Sequence, residues 1–255
     1  MASRRRRLAV AALALLGLAS TAHAMGAPDC APEDLAPVDA WLAKHPWHAG
    51  ATTPDAMVAA ACRLWPFDKR VLIVAAAYAQ DKEQDKNLVV ALVDTQAMAL
   101  RSAFQGVVLE DATWSVTQAS LRIDTARYDL APGVRAIGVD VTSDPVAGAV
   151  VRGGVTATRS LFVAEGAQLR LVLDGFVLTT WQKPAGTEPS TSSAKIAIDA
   201  HRTNGFADLR VTRTSNAAGT SRQDRTTLVY DGSRYGADAG WRVHQVDGDG
   251  EARRR

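Results

Sequence analysis

The apolar positions change period along the chain. In residues 36–44, Pro37 stands near the first helical position and Val38, Trp41 and Leu42 fall on one side, the spacing of a short amphipathic helix. Thr53-Pro54-Asp55 supplies a capping hydroxyl, a proline and a first-turn acid, and predicts a second helix through Met57-Val58-Ala59-Ala60-Ala61-Cys62 that Pro66 ends. From Lys69 onward the period is that of strands. Residues 70–78 and 87–93 are continuous apolar runs separated by the charged Asp81-Lys82-Glu83-Gln84-Asp85-Lys86, which predicts two central strands covered on both faces. Further on the pattern alternates: Leu121 with Ile123, Ile137 with Val139 and Val141, and Leu169 with Leu171 and Leu173 predict half-buried antiparallel strands.

Turn residues punctuate this pattern. Asp174-Gly175, between two apolar segments, predicts a tight hairpin, and Pro132-Gly133 a type II turn. Residues 183–194 are polar, hold two prolines and read as a surface loop or linker. Beyond them, segments 195–201, 207–213, 226–230 and 241–246 read as a four-stranded meander, with turns at Asn204-Gly205 and Asp231-Gly232. The predicted fold class is mainly β: antiparallel sheets, sandwich-like or as an open barrel, under a short N-terminal helical cap. The expected organisation is a signal peptide over 1–24, a helical segment over 25–66, a main β domain over 67–182, the loop, the meander over 195–246, and a disordered tail over 247–255.

The first residues set the compartment. Four arginines, Arg4 to Arg7, precede an apolar stretch too short to span a bilayer, and Ala22-His23-Ala24 places small residues where signal peptidase requires them. Cleavage between Ala24 and Met25 and a periplasmic or secreted product are therefore expected. Processing removes four of the 29 basic residues and none of the 27 acids, so the mature chain carries a formal charge of −2. Without a concentrated basic patch, nucleic acid is not an expected partner. No later apolar run reaches the roughly 20 residues of a membrane helix, so no integral membrane segment is expected after cleavage. The two cysteines, Cys30 and Cys62, are the chain's complement of thiols, and in an oxidising compartment they are expected to form one disulfide.

Candidate chemistry is sparse. Of the histidines, His45 and His48 flank Pro46, which breaks the register a zinc helix uses, and His244 stands alone. His201 follows Asp199 by two residues, so a strand would project both to one face, but Lys195 and Ala197 share that face and make it solvated. Gly232-Ser233-Arg234-Tyr235-Gly236 has its serine one place too early for a nucleophile elbow. Asp94-Thr95-Gln96 and Asp124-Thr125-Ala126 lack the glycine that presents paired acids in aspartic proteases, and Arg127 is placed to pair with a carboxylate instead. Asp247-Gly248-Asp249-Gly250-Glu251 is too short for a calcium loop, with Ala252 where glycine is required. No catalytic residue, metal ligand or cofactor is assigned. The six tryptophans, Trp41, Trp47, Trp65, Trp114, Trp181 and Trp241, are expected mainly as packing residues, with a glycan-facing ring as the alternative.

Leu121-Arg122-Ile123-Asp124-Thr125-Ala126-Arg127-Tyr128-Asp129-Leu130-Ala131-Pro132-Gly133-Val134-Arg135-Ala136-Ile137-Gly138-Val139 resembles an uncharacterised family of exported proteobacterial proteins; the resemblance implies export and no particular activity. Residues 205–211 and 228–235 are similar to a single integrin-like FG-GAP blade, without its calcium loop. The expected role is a non-catalytic binding or interaction module of the cell envelope, its partner an envelope protein or a glycan. The alternatives are a hydrolase acting on envelope polymers and a proteinaceous enzyme inhibitor. An enzyme requires a concave site where several polar groups converge; a binding module requires an exposed apolar or aromatic patch without them.

Overall fold

The computed structural model describes residues 30–47, 56–80, 85–111, 113–143, 152–183, 186, 188–236 and 246–247. The expected signal peptide, His48, His244 and Trp241 lie outside these residues, as do Thr53-Pro54-Asp55. Helix α1 spans Pro32–Leu42. Pro32 occupies the first helical turn, and the Asp34 carboxylate accepts a hydrogen bond from the Ala31 backbone at 3.2 Å. The helix thus opens four residues before the predicted start, and Pro37 lies inside it.

The second predicted helix is instead a strand. β1 is Met57–Trp65, paired antiparallel with β2, Asp68–Ala79. Its alanines have high helix propensity, but Ala60 and Ala61 sit opposite Ala76 and Ala75 in the ladder, where small side chains on both strands let other layers approach closely. β3, Lys86–Asp94, and β4, Ala99–Val108, continue the sheet. The two continuous apolar runs are its centre, and their residues 71–78 and 87–93 are buried on both faces as expected.

Four more strands extend it: β5, Leu121–Ala131; β6, Val134–Thr142; β7, Gly153–Glu165; and β8, Gln168–Gln182. The hydrogen-bonded order is β1-β2-β3-β4-β8-β7-β6-β5, antiparallel except for one parallel bridge, Ala103 to Gln168, between β4 and β8. The sheet curls without closing. Its terminal strands β1 and β5 lie side by side with no ladder between them, bridged by an Arg63 guanidinium hydrogen bond to the Ile123 carbonyl at 3.5 Å. Gly133, at φ +75°, makes the predicted turn between β5 and β6.

Asp174-Gly175 does not form a hairpin. β8 runs straight through it, and the pair opposes Ser160 as a bulge, where the Gly175 N–H donates to Ser160 Oγ at 3.0 Å. The hairpin turn lies earlier, at Gly166-Ala167, between Glu165 and Gln168. The far end of β8 pairs with β9, Ser190–Thr203, which carries β10, Phe206–Ala217, and β11, Thr220–Leu228. Strand structure therefore begins within the stretch expected as loop. Among the described residues the meander has three strands; most of its predicted fourth, 241–245, and the expected tail beyond Asp247 lie outside them, and β12, Val246–Asp247, pairs with Val107 and Val108 of β4.

Three cores result. The concave face of the curled sheet encloses Trp114 together with Ile73, Val90, Ile137 and Phe162. Helix α1 covers the outer face of β1–β4, burying Val38 against Val74 and Tyr78, and the Cys30–Cys62 disulfide ties it down with Cα atoms 5.0 Å apart. Cys62 is thus on a strand. The β9–β11 layer covers the outer face of β5–β8, with Leu209 and Val211 packed on Leu161 and Leu173.

Candidate functional site

His201 is held by a carboxylate, but not by Asp199. The β9–β10 register runs from Ile198 opposite Leu209 to Arg202 opposite Ala207, so residues 199–201 bulge against Asp208 alone. The Asp199 carboxylate turns back to accept the His201 backbone N–H at 3.1 Å and faces Arg210 at 3.5 Å. The imidazole Nδ1 instead meets the buried Asp208 Oδ2 at 2.6 Å, with 73% of the His201 side chain exposed. Asp208 Oδ1 is buried and has no hydrogen-bond partner among the described residues. A carboxylate behind an exposed imidazole is half of an acid–base device, and it needs a nucleophile. The hydroxyl whose charge couples to Asp208 belongs to Tyr235; it donates to the Ala207 carbonyl at 2.5 Å, and burial, reinforced by the Asp208 charge, pushes its pKa up, away from nucleophilic use. Lys195 and Ala197 are exposed beside the bulge, as the sequence predicts.

The remaining sequence candidates serve structure. His45 Nδ1 lies 2.9 Å from the Trp41 carbonyl, with its ring stacked on that indole. Asp94 accepts the Gln96 and Ala97 amides and pairs with Arg101 at 2.6 Å. Asp124 accepts the Tyr128 hydroxyl and pairs with Arg159, while Arg127 pairs with Asp129 at 3.6 Å. Ser233 Oγ donates to Asp231 at 2.8 Å within its own turn. Trp114 is fully buried, whereas Trp41, Trp47, Trp65 and Trp181 are partly so. No group of three or more metal-ligating side chains exists among the described residues.

A different place has the form of a binding site. Two tight turns, Pro66-Phe67 between β1 and β2 and Pro132-Gly133 between β5 and β6, meet where the curled sheet stays open. They border a half-open cavity of about 240 Å³ lined by Phe67, Asp129, Ala131, Pro132, Val134, Arg135 and Arg202. Phe67 is 56% exposed, and a proline before it with a short connection leaves the ring no core to enter. The Arg135 guanidinium covers that ring, 4.2 Å from its centroid. Arg135 Nε donates to Asp129 at 2.5 Å, and this bond, reinforced by the Arg135 and Arg127 charges, holds the Asp129 carboxyl below the usual range. Arg202 reaches across from β9 and donates to the Leu130 carbonyl at 2.5 Å, and it makes no ion pair among the described residues. Arg135 and Arg202 thus line an apolar cavity, and Arg127 joins Arg135 on the Asp129 carboxylate. Sequence reading finds the Pro132-Gly133 turn but not the site. The available signal was Pro66-Phe67, an aromatic residue placed in a turn between two apolar strands.

A second depression, lined by Thr180, Gln182, Ser190, Ser192, Ser215 and Asn216, is polar and holds no charged side chain. On the outer face of β5–β7, Asp140 is buried between Arg122 at 2.9 Å and Arg159 at 2.6 Å. That cluster is internally satisfied, and it pins three neighbouring strands together. No family model, curated protein or solved structure matches the chain.

Proposed function

We propose that the protein is a non-catalytic binding module of the cell envelope, and that the cavity between the β1–β2 and β5–β6 turns is its binding face. The observation that carries this reading is Phe67, an aromatic side chain more than half exposed at the mouth of an apolar cavity and capped by a guanidinium. Exposing such a ring costs free energy that burial under a partner recovers. The segment 121–139, which carries the resemblance to exported proteobacterial proteins, is the hairpin that forms one wall of this cavity. Export is supported by the N-terminal signal pattern and by the disulfide, which suits an oxidising compartment. The hydrolase alternative has the His201–Asp208 pair in its favour; against it, the Tyr235 hydroxyl near Asp208 is buried and bonded to the Ala207 carbonyl.

One preparation tests both parts. Protein purified from a periplasmic extract should have the intact mass of a chain beginning at Met25, and it should turn over none of a panel of ester, peptide and glycan substrates. A mass that includes Arg4 to Arg7 would remove the localisation. Turnover that disappears in His201→Ala, with the unfolding curve retained, would establish the hydrolase.

A further inference from the structure

Building on the reading of this cavity as the binding face, we infer that its ligand is a peptide segment that presents a large apolar side chain next to a carboxylate. The cavity volume, about 240 Å³, is below the roughly 300–1,000 Å³ of sites that enclose a whole small molecule, so it suits one or two side chains of a longer ligand. Its apolar lining is Phe67, Ala131, Pro132 and Val134. Sugar recognition uses a bare aromatic face and several polar groups. Here one face of Phe67 is already covered by Arg135, and the cavity's carboxylate, Asp129, is engaged by Arg135 and Arg127. The charge balance decides the rest. Arg127 and Arg135 share the Asp129 carboxylate, while Arg202, which also lines the cavity, is fixed in place through the Leu130 carbonyl with no acid of its own among the described residues. A second carboxylate, brought by the ligand, would complete the set with a charge-assisted hydrogen bond at the edge of an apolar pocket. A chain end and an aspartate side chain offer the same group.

The test is a titration of the mature chain, followed by amide chemical shifts, with five probes: acetyl-Ala-Ala-Leu as the free acid, the same peptide as its amide, acetyl-Ala-Leu-Asp amide, octanoate and chitobiose. The free acid should shift the amides of Phe67, Ala131, Gly133, Val134 and Arg202, and the amide should bind about tenfold more weakly, the worth of one such hydrogen bond. Binding of the aspartyl peptide as tightly as the free acid assigns an internal acidic segment; weaker binding assigns a chain end. Arg202→Gln should abolish the difference between acid and amide, and Phe67→Ala should weaken both. Equal binding of acid and amide by the unaltered protein would overturn carboxylate recognition. Octanoate or chitobiose shifting these residues where the peptides do not would overturn the peptide while leaving the cavity as a binding face. If no probe moves these residues while the amide spectrum remains that of a folded chain, the cavity is not the binding face, and both readings fall.

Discussion

Asp140 illustrates how single residues secure this fold. Its carboxylate is 1% exposed and accepts hydrogen bonds from Arg159 at 2.6 and 2.8 Å and from Arg122 at 2.9 Å. A buried guanidinium that loses its acid is costly, although Arg159 retains Asp124 as a second partner. Asp140→Ala should therefore destabilise the protein by about 3 kcal/mol, read as a lower urea midpoint at unchanged slope. Nothing in the sequence distinguished Asp140 from an exposed strand aspartate, because the arginines that meet it, Arg122 and Arg159, stand 18 and 19 residues away and reach it only through the β5–β6–β7 ladders. Asp94 acts locally. Amides of its own turn, Ala97 first, and Arg101 hold its pKa at about 2. A carboxyl depressed in this way stabilises the fold above its ordinary range near 4, and the contribution is lost as pH falls through about 2. Tm measured against pH should fall over this window, and Asp94→Asn should flatten the fall.

At the level of elements, strands with a clear period were legible and the exceptions have physical causes. Residues 71–78 and 88–93 are uniformly apolar because layers cover both faces, and they are strands as predicted. The alanine run before Cys62 has no period that separates helix from strand, and the ladder with β2 decides in favour of strand. Asp174-Gly175 has turn chemistry, yet β7 is long enough to pair with both halves of β8, so the glycine's positive φ of 49° serves a bulge. Ala218-Gly219, the turn between β10 and β11, carried a weaker signal than Asn204-Gly205 because alanine seldom adopts the φ of 46° found there. Helix α1 is the element most dependent on a single bond. The disulfide closes a loop across a sequence separation of 32, worth about 3 kcal/mol. Cys30→Ser with Cys62→Ser should lower stability by that amount. Hydrogen exchange should show α1 losing protection before β2 and β3 do, and unchanged protection of α1 would mean that packing alone holds it.

In the whole molecule, the curled sheet buries nearly everything its sequence offers as a core, and what it leaves exposed becomes informative. The pair chosen from sequence, Asp199 and His201, is separated by a bulge that sends the imidazole to Asp208. The proposed binding face is assembled from three regions distant in sequence: the β1–β2 turn, the β5–β6 turn and Arg202 of β9. No motif could encode it, because its parts are ordinary turn residues and an unremarkable arginine until the sheet curls. The claim most open to test is that ligands enter there. A screen of small fragments against the isotope-labelled mature chain, mapped by amide chemical shifts, measures this directly. The account predicts that apolar acids cluster on residues 66–68, 129–135 and 202. Clustering around His201 and Asp208, or in the polar depression lined by Ser192 and Asn216, would contradict it.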